Sequence, residues 1–207
     1  VHLAPGRAPQ AMILLLRHGQ TTWNAVRRVQ GQSESPLSDL GRRQARAMGS
    51  LVADLIAREP GAPWRLVSSP LIRTRDTAAA VAEATGLAVD YDPRLMEIHC
   101  GEWEGRLWDD IRRDEPDRSY DGERFFNSPG GETFDQVMAR ARGFLADLPP
   151  EPDRRMIVVS HGVLGRLMRG AYAGLSRADM LALDVPQDAI HRLQNGQIDR
   201  FDCEPLE

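Results

Sequence analysis

MIVVSHG at residues 156–162 is an apolar run that stops in a serine, a histidine and a glycine. The same grammar occurs twice more, as MILLLRHG at 12–19 and RLVSSP at 65–70. Near-continuous apolar runs bounded by turn residues mark strands covered on both faces, as in mainly parallel sheets with helices on either side. The predicted fold is therefore α/β: a single domain with a mixed, mostly parallel sheet flanked by helices. A chain of 207 residues is long enough for one such core without staples.

Outward from these runs, local signals place the helices. Ser38 is an N-cap ahead of Ala45, Met48, Val52, Leu55 and Ile56 at helical spacing. Ser69 reads as the cap of the next helix, with Pro70 at its first position and Gly86 at its end. A capping box, Thr133 with Gln136, opens a third, with Phe134, Val137, Ala141, Leu145 and Leu148 on one stripe and Pro149 and Pro150 as the stop. AIHRL and QIDRF flank Asn195-Gly196, a two-residue hairpin turn expected at an edge of the sheet. Residues 106–131 lack clear periodicity and read as a short helix and a long loop, a candidate lid. Residues 1–11, rich in Pro, Ala and Gly, read as an extension outside a domain spanning 12–207.

Composition excludes several chemistries. All 26 basic residues are arginine, so a P-loop lysine, a Schiff-base lysine and a pyridoxal phosphate anchor are impossible. A net charge of −4 argues against general nucleic-acid binding, and any anionic ligand must meet a local group of arginines. Cys100 and Cys203 form no ligand spacing or disulfide framework, which suits a reducing cytoplasm. No run approaches the roughly 18 apolar residues of a membrane span. Neither membrane nor nucleic acid is an expected partner. A homodimer is allowed, because nothing in the sequence speaks to oligomeric state.

Ligands of open α/β sheets bind beyond the carboxyl ends of the strands. Those positions hold Arg17-His18-Gly19, Ser69-Pro70 with Arg73 a turn later, and Ser160-His161-Gly162. One histidine after one strand is ordinarily a hydrogen-bonded structural residue. Three strand ends that all carry groups suited to an anion have no such structural explanation.

The stretch Leu16-Arg17-His18-Gly19-Gln20-Thr21-Thr22-Trp23-Asn24 resembles the signature of the histidine phosphatase superfamily, which includes the cofactor-dependent phosphoglycerate mutases. The resemblance continues through Arg28-Val29-Gln30-Gly31, Ser69 to Arg73, Leu95-Met96-Glu97, Gly101 to Gly105, Ser128 to Glu132 and Val159 to Gly162. It implies hydrolysis of a small phosphomonoester without metal or organic cofactor, with His18 as the nucleophile that forms a phosphohistidine. It further implies that Arg17, Arg73 and His161 grip the equatorial oxygens with help from Asn24, and that Glu97 protonates the leaving oxygen. Such a transfer depends on positioning and on stabilising charge, which a guanidinium fork does well. The second ring nitrogen of His18 must donate a hydrogen bond, with a carbonyl near Gly19 as the expected acceptor.

Gln30 and Gly31 are expected to shape the pocket mouth. Arg28 reads either as a contact to a substrate carboxylate or as part of a structural ion pair. His99 and Cys100 stand where the family more usually has an Asp-aromatic pair, which leaves substrate preference open; a metal at His99 has no spaced partners. His2 and His191 read as incidental. Two alternatives to a phosphatase remain: a phosphoglycerate mutase, and a phosphate-binding relative without turnover. The segment Ile98 to Gly105, the absence of lysine and the few residues after Phe201 favour the phosphatase.

Overall fold

The computed structural model describes residues 11–59, 63–117, 123–150 and 154–204. Its six strands are β1 (Met12–Arg17), β2 (Arg65–Ser68), β3 (Val89–Tyr91), β4 (Arg155–Ser160), β5 (Ala189–Gln194) and β6 (Gln197–Asp202). They form one sheet in the order β3-β2-β4-β1-β5-β6. The first four are mutually parallel, and β5 and β6 add antiparallel at one edge. The hairpin turn is where the sequence places it, with Asn195 and Gly196 at φ 52° and 72°. β3 escaped the sequence reading because it is a three-residue edge strand with only Val89 half-buried.

Period-two alternation divides the central strands between two cores. Met12, Leu14, Leu16, Ile157 and Val159 face α2 (Asp39–Ala57) and α3 (Ile72–Thr85), meeting Met48, Val52, Ala78 and Val81. Ile13, Leu15, Met156 and Val158 face the opposite way, toward Val137, Ala141, Leu164 and Leu167 of α5 (Phe134–Ala146) and α6 (Gly162–Ala173). The chain therefore leaves β1 toward one face and β4 toward the other. Between two such neighbouring strands the loops part and leave a crevice.

Two of the three predicted caps stand. Ser38 accepts from Gly41 N at 3.1 Å, and Thr133 and Gln136 form the capping box. Ser69 is not a cap. α3 begins three residues later at Ile72, whose N–H is met by Glu34 Oε2 at 2.9 Å. Ser69 Oγ lies 2.8 Å from His161 Nε2 and meets only Leu71 N–H on the side of the helix, at 3.4 Å. α5 stops at Ala146, before the two prolines, and Leu148 still packs on the core beyond the helix end.

Residues 106–131 hold α4 (Trp108–Asp114) and a 3-10 turn at Arg124–Asn127, with 118–122 outside the described residues. Trp108 packs edge-on against Trp103 and Phe125, tying this segment to the main core. Residues 1–10 and His2 also lie outside the described residues, whereas Ala11 is buried. No described helix is long and apolar enough to cross a membrane.

Candidate active site

Parallel register brings the three strand ends level. Arg17 pairs with Ser160 and Ser68 with Val159, so His18, His161 and Ser69 follow side by side. The ladder continues one residue further, with His18 N–H donating to Ser160 O at 3.0 Å and Ser69 N–H to Val159 O at 3.0 Å. Gly19 and Gly41 let this edge close, because a Cβ on either would overlap backbone of the other's loop. The crevice opens into a cavity of about 310 Å³ lined by Arg17, His18, Asn24, Arg73 and Glu97 together with Gln30 and Gly31.

His18 is 3% exposed, and its Nδ1 lies 2.7 Å from Gly19 O. A carbonyl only accepts, so Nδ1 carries the proton and Nε2 keeps its lone pair. Burial, then the charges of Arg73 and Arg17, push the imidazole well below its ordinary 6.5, and the ring is neutral at physiological pH. Arg73, in the first turn of α3, donates from Nη2 to Gly31 O at 2.6 Å, from Nη1 to Ser33 O at 2.9 Å and from Nε to His161 Nδ1 at 3.3 Å. Three of its five N–H groups are thereby fixed and two remain. Arg17 is anchored through Nη1 on Val185 O, and its Nε is buried with no hydrogen-bond partner among the described residues. Burial is the main cause that lowers Arg17 to about 10, with Glu97 opposing it and Arg73 and Arg166 adding to it.

His161 is brought to His18, with ring centroids 5.2 Å apart, but it stands behind Arg73 and both its nitrogens are engaged by protein. Since Nδ1 accepts from Arg73, Nε2 donates to Ser69 Oγ. Burial and then Arg73 hold this imidazole, too, well below 6.5.

Glu97 faces the first turn of α6, where its carboxylate accepts from Val163 N and Leu164 N at 3.0 Å each, and from Ile98 N at 3.0 Å. A helix N-terminus offers such unpaired donors to an anion. Its segment is clamped twice. Ser160 Oγ donates to Leu95 O at 2.9 Å, and Arg140 of α5 donates to Arg94 O, Met96 O and Glu97 O while pairing with Glu132.

Several residues behave otherwise than the sequence suggested. Arg28 makes no ion pair among the described residues: it lies over Trp23 and donates to Gly105 O at the cavity wall, where a substrate could meet it. His191 is buried on β5, 2.9 Å from Arg169 Nη1, a packing position. Cys100 lines the cavity, yet burial pushes its thiol strongly up and leaves it protonated. Asn24 Oδ1 is taken by Thr21 N at 3.1 Å and by Gln187 Nε2 at 3.0 Å.

Sequence reasoning missed Gln187, Arg140, Ser69 as the partner of His161, and Glu104. The Glu104 carboxylate accepts from Gln32 N, Cys100 N and Ser33 Oγ and so fixes the loop whose carbonyls hold Arg73. The only sequence signal for Glu104 is its place in Gly101 to Gly105, a stretch that shares the family resemblance. Among the described residues no group of three His, Cys, Asp or Glu side chains is arranged to hold a metal ion.

Residues 13–200 match the sequence profile of the histidine phosphatase superfamily, branch 1. The chain is 37% identical over 182 residues to glucosyl-3-phosphoglycerate phosphatase of Mycobacterium tuberculosis, covering 83% of this chain and 79% of that one. It is 36% identical over 195 residues to the probable phosphoglycerate mutase GpmB of Serratia proteamaculans, covering 92% and 84% respectively. In three dimensions it is similar to a mycobacterial glucosyl-3-phosphoglycerate phosphatase complexed with VO3, with TM-score 0.77 and 33% identity over 93% of this chain and 97% of that one. With the strand-end histidines, the paired arginines and the glutamate in one crevice, and the match running through nearly the whole domain, the chain belongs to the histidine phosphatase superfamily.

Proposed function

We propose that this protein is a phosphomonoesterase that transfers the phosphoryl group of a small ester to His18 Nε2 and then to water. The observation that carries the reading is the state of His18: buried and neutral, with its tautomer set by Gly19 O, in a cavity lined by Arg17 and Arg73. A nucleophile needs a lone pair, and a phosphoester dianion needs cations on its equatorial oxygens. The two remaining N–H groups of Arg73 and the unpartnered Nε of Arg17 are donors suited to those oxygens, with His161 beside them holding the Arg73 guanidinium. Asn24 lines the same wall, and Gln30 and Gly31 form its mouth.

In the first step the Nε2–P bond forms as the ester P–O bond breaks, and the departing alkoxide takes the proton that Glu97 carries when the anionic ester beside it opposes its charge. In the second step the resulting carboxylate takes a proton from water as the water oxygen attacks phosphorus. Phosphate leaves, and His18 is neutral again. The relatives named as phosphatases support hydrolysis, and a phosphoenzyme open to water is what separates hydrolysis from a mutase cycle.

The test is to expose the protein briefly to 32P-labelled p-nitrophenyl phosphate and quench it in alkali. Alkali-stable label mapped to His18, with phosphate released in steady state, is the expected result. Label absent from His18 would overturn the reading. So would formation of 2-phosphoglycerate from 3-phosphoglycerate with catalytic 2,3-bisphosphoglycerate, running far faster than phosphate release from any ester.

A further inference from the structure

Between α7 (Arg177–Ala182) and β5 the residues Asp184 to Asp188 run past the catalytic edge of the sheet with no helix or strand of their own. A segment without a ladder takes its shape from whatever meets its carbonyls. Here two arginines meet them. Val185 O accepts from Arg17 Nη1, and Asp184 O accepts from Arg169 Nη2. Two residues beyond Val185, Gln187 Nε2 donates to Asn24 Oδ1 at 3.0 Å and to His18 O at 3.4 Å. This strap therefore touches Arg17, Asn24 and the main chain of His18.

Arg169 belongs to α6 and stands behind the site, outside the lining of the catalytic cavity. It is 3% exposed, and its Nη1 donates to Asp184 Oδ1 at 3.3 Å and to His191 Nε2 at 2.9 Å. With Nη2 on Asp184 O, it holds that residue by main chain and side chain at once. Arg200 of β6 grips the same carboxylate from the solvent side. Burying a guanidinium is costly even when it is paired, and an apolar side chain would pack α6 on β5 at lower cost. What the guanidinium adds is direction. Its fork aims Asp184, and the next carbonyl along the chain is the one on which Arg17 rests.

Building on the phosphomonoesterase reading, we infer that Arg169 is a positioning residue for Arg17: by clamping Asp184 it fixes the 184–187 strap, so that Val185 O sets the plane of the Arg17 guanidinium and Gln187 holds Asn24. Nε of Arg17 is buried with no hydrogen-bond partner among the described residues, so the Val185 carbonyl is what aims this fork at the phosphoryl oxygens. A misplacement of about 1 Å at such a group costs on the order of 10²-fold in rate.

The experiment measures kcat and KM for p-nitrophenyl phosphate and the inhibition constant of vanadate, with circular dichroism to confirm that each variant is folded at the assay temperature. Arg169→Met, which keeps length and removes every donor, should lower kcat/KM by about ten- to hundred-fold, mostly in kcat, and weaken vanadate by a similar factor. Arg169→Lys, which can still pair with Asp184, should recover part of the loss. In an Arg17→Met background the same Arg169→Met change should alter vanadate inhibition by less than about two-fold, because the group it acts through is gone. Should Arg169→Met fail to fold, Asp184→Ala, at an exposed side chain, carries the same cycle with an expected loss of about three- to ten-fold. Folded variants within two-fold of wild type would overturn the inference, as would a loss equally large with and without Arg17, the mark of a merely structural role. Labelled His18 in the wild type alongside such a result would leave the phosphatase reading standing. Absence of label would bring down that reading, while the vanadate cycle would still decide the place of Arg169.

Discussion

Lowering the pH from 7 to 5 should strip much of this fold's stability through three histidines that it keeps neutral. His18 and His161 are buried at 3% and 1% exposure and held well below 6.5; His191, at 8%, is held at about 4, by burial first and Arg169 second. In the unfolded chain each reverts to about 6.5 and takes up a proton that the fold refuses. Stability is therefore full above about pH 6.5 and falls as the pH drops below it. A site that stays neutral in the fold costs RT ln(1 + 10^(6.5 − pH)), about 0.2 kcal/mol at pH 7 and about 2.1 at pH 5. His191, held at about 4, accounts for a loss of about 2 kcal/mol over the two units, and His18 and His161 add to it in the same direction. Against the roughly 5–15 kcal/mol of an ordinary domain this is a substantial share, so acid inactivation should be accompanied by loss of fold. Urea unfolding followed by circular dichroism at pH 7, 6 and 5 measures it. His191→Gln removes one site and should shrink the loss by about 2 kcal/mol. A total loss below about 2 kcal/mol, or the same loss in the variant, would refute the argument.

Glu97→Gln should reduce first-turnover phosphorylation by an alkyl phosphate roughly 10²- to 10⁴-fold, and by an aryl phosphate with a good leaving group much less; equal losses in a burst experiment would remove Glu97 as the acid. Glu104→Gln places an amide nitrogen before donors that now meet a carboxylate, so it should cost about 1–3 kcal/mol in urea unfolding. It should also raise KM for p-nitrophenyl phosphate by loosening the loop under Arg73, and unchanged stability and KM would deny it that place. Vanadate should inhibit competitively, because a trigonal oxyanion on His18 resembles the phosphoryl group in flight, whereas EDTA should leave turnover intact. Activity lost to the chelator and restored by a divalent cation would point to metal-dependent chemistry instead.

Local and periodic information sufficed for the architecture. Alternation along 12–17 and 155–160 assigns each side chain to one of two cores, and Ser38, Gly86 and the Thr133–Gln136 box mark helix ends through bonds spanning four residues or fewer. That the candidate site residues meet was legible for the same reason. His18, His161 and Arg73 follow strands whose parallel register makes their ends coincide, so position along the chain implies position in space. Assignments that depend on who wins a shared group were not legible. Ser69 has the right neighbours for a cap, but its hydroxyl makes its shorter contact with His161, and only packing brings the histidine near. The arginine lining of the cavity is the extreme case: Arg27 and Arg28 follow the first helical turn at Thr22–Ala25, Arg112 comes from α4, Arg124 from a 3-10 turn and Arg166 from α6. No spacing links those elements. Their charges meet because Trp108 and Phe125 dock their segment on the core beside α6, and that docking is a long-range contact which no local pattern encodes.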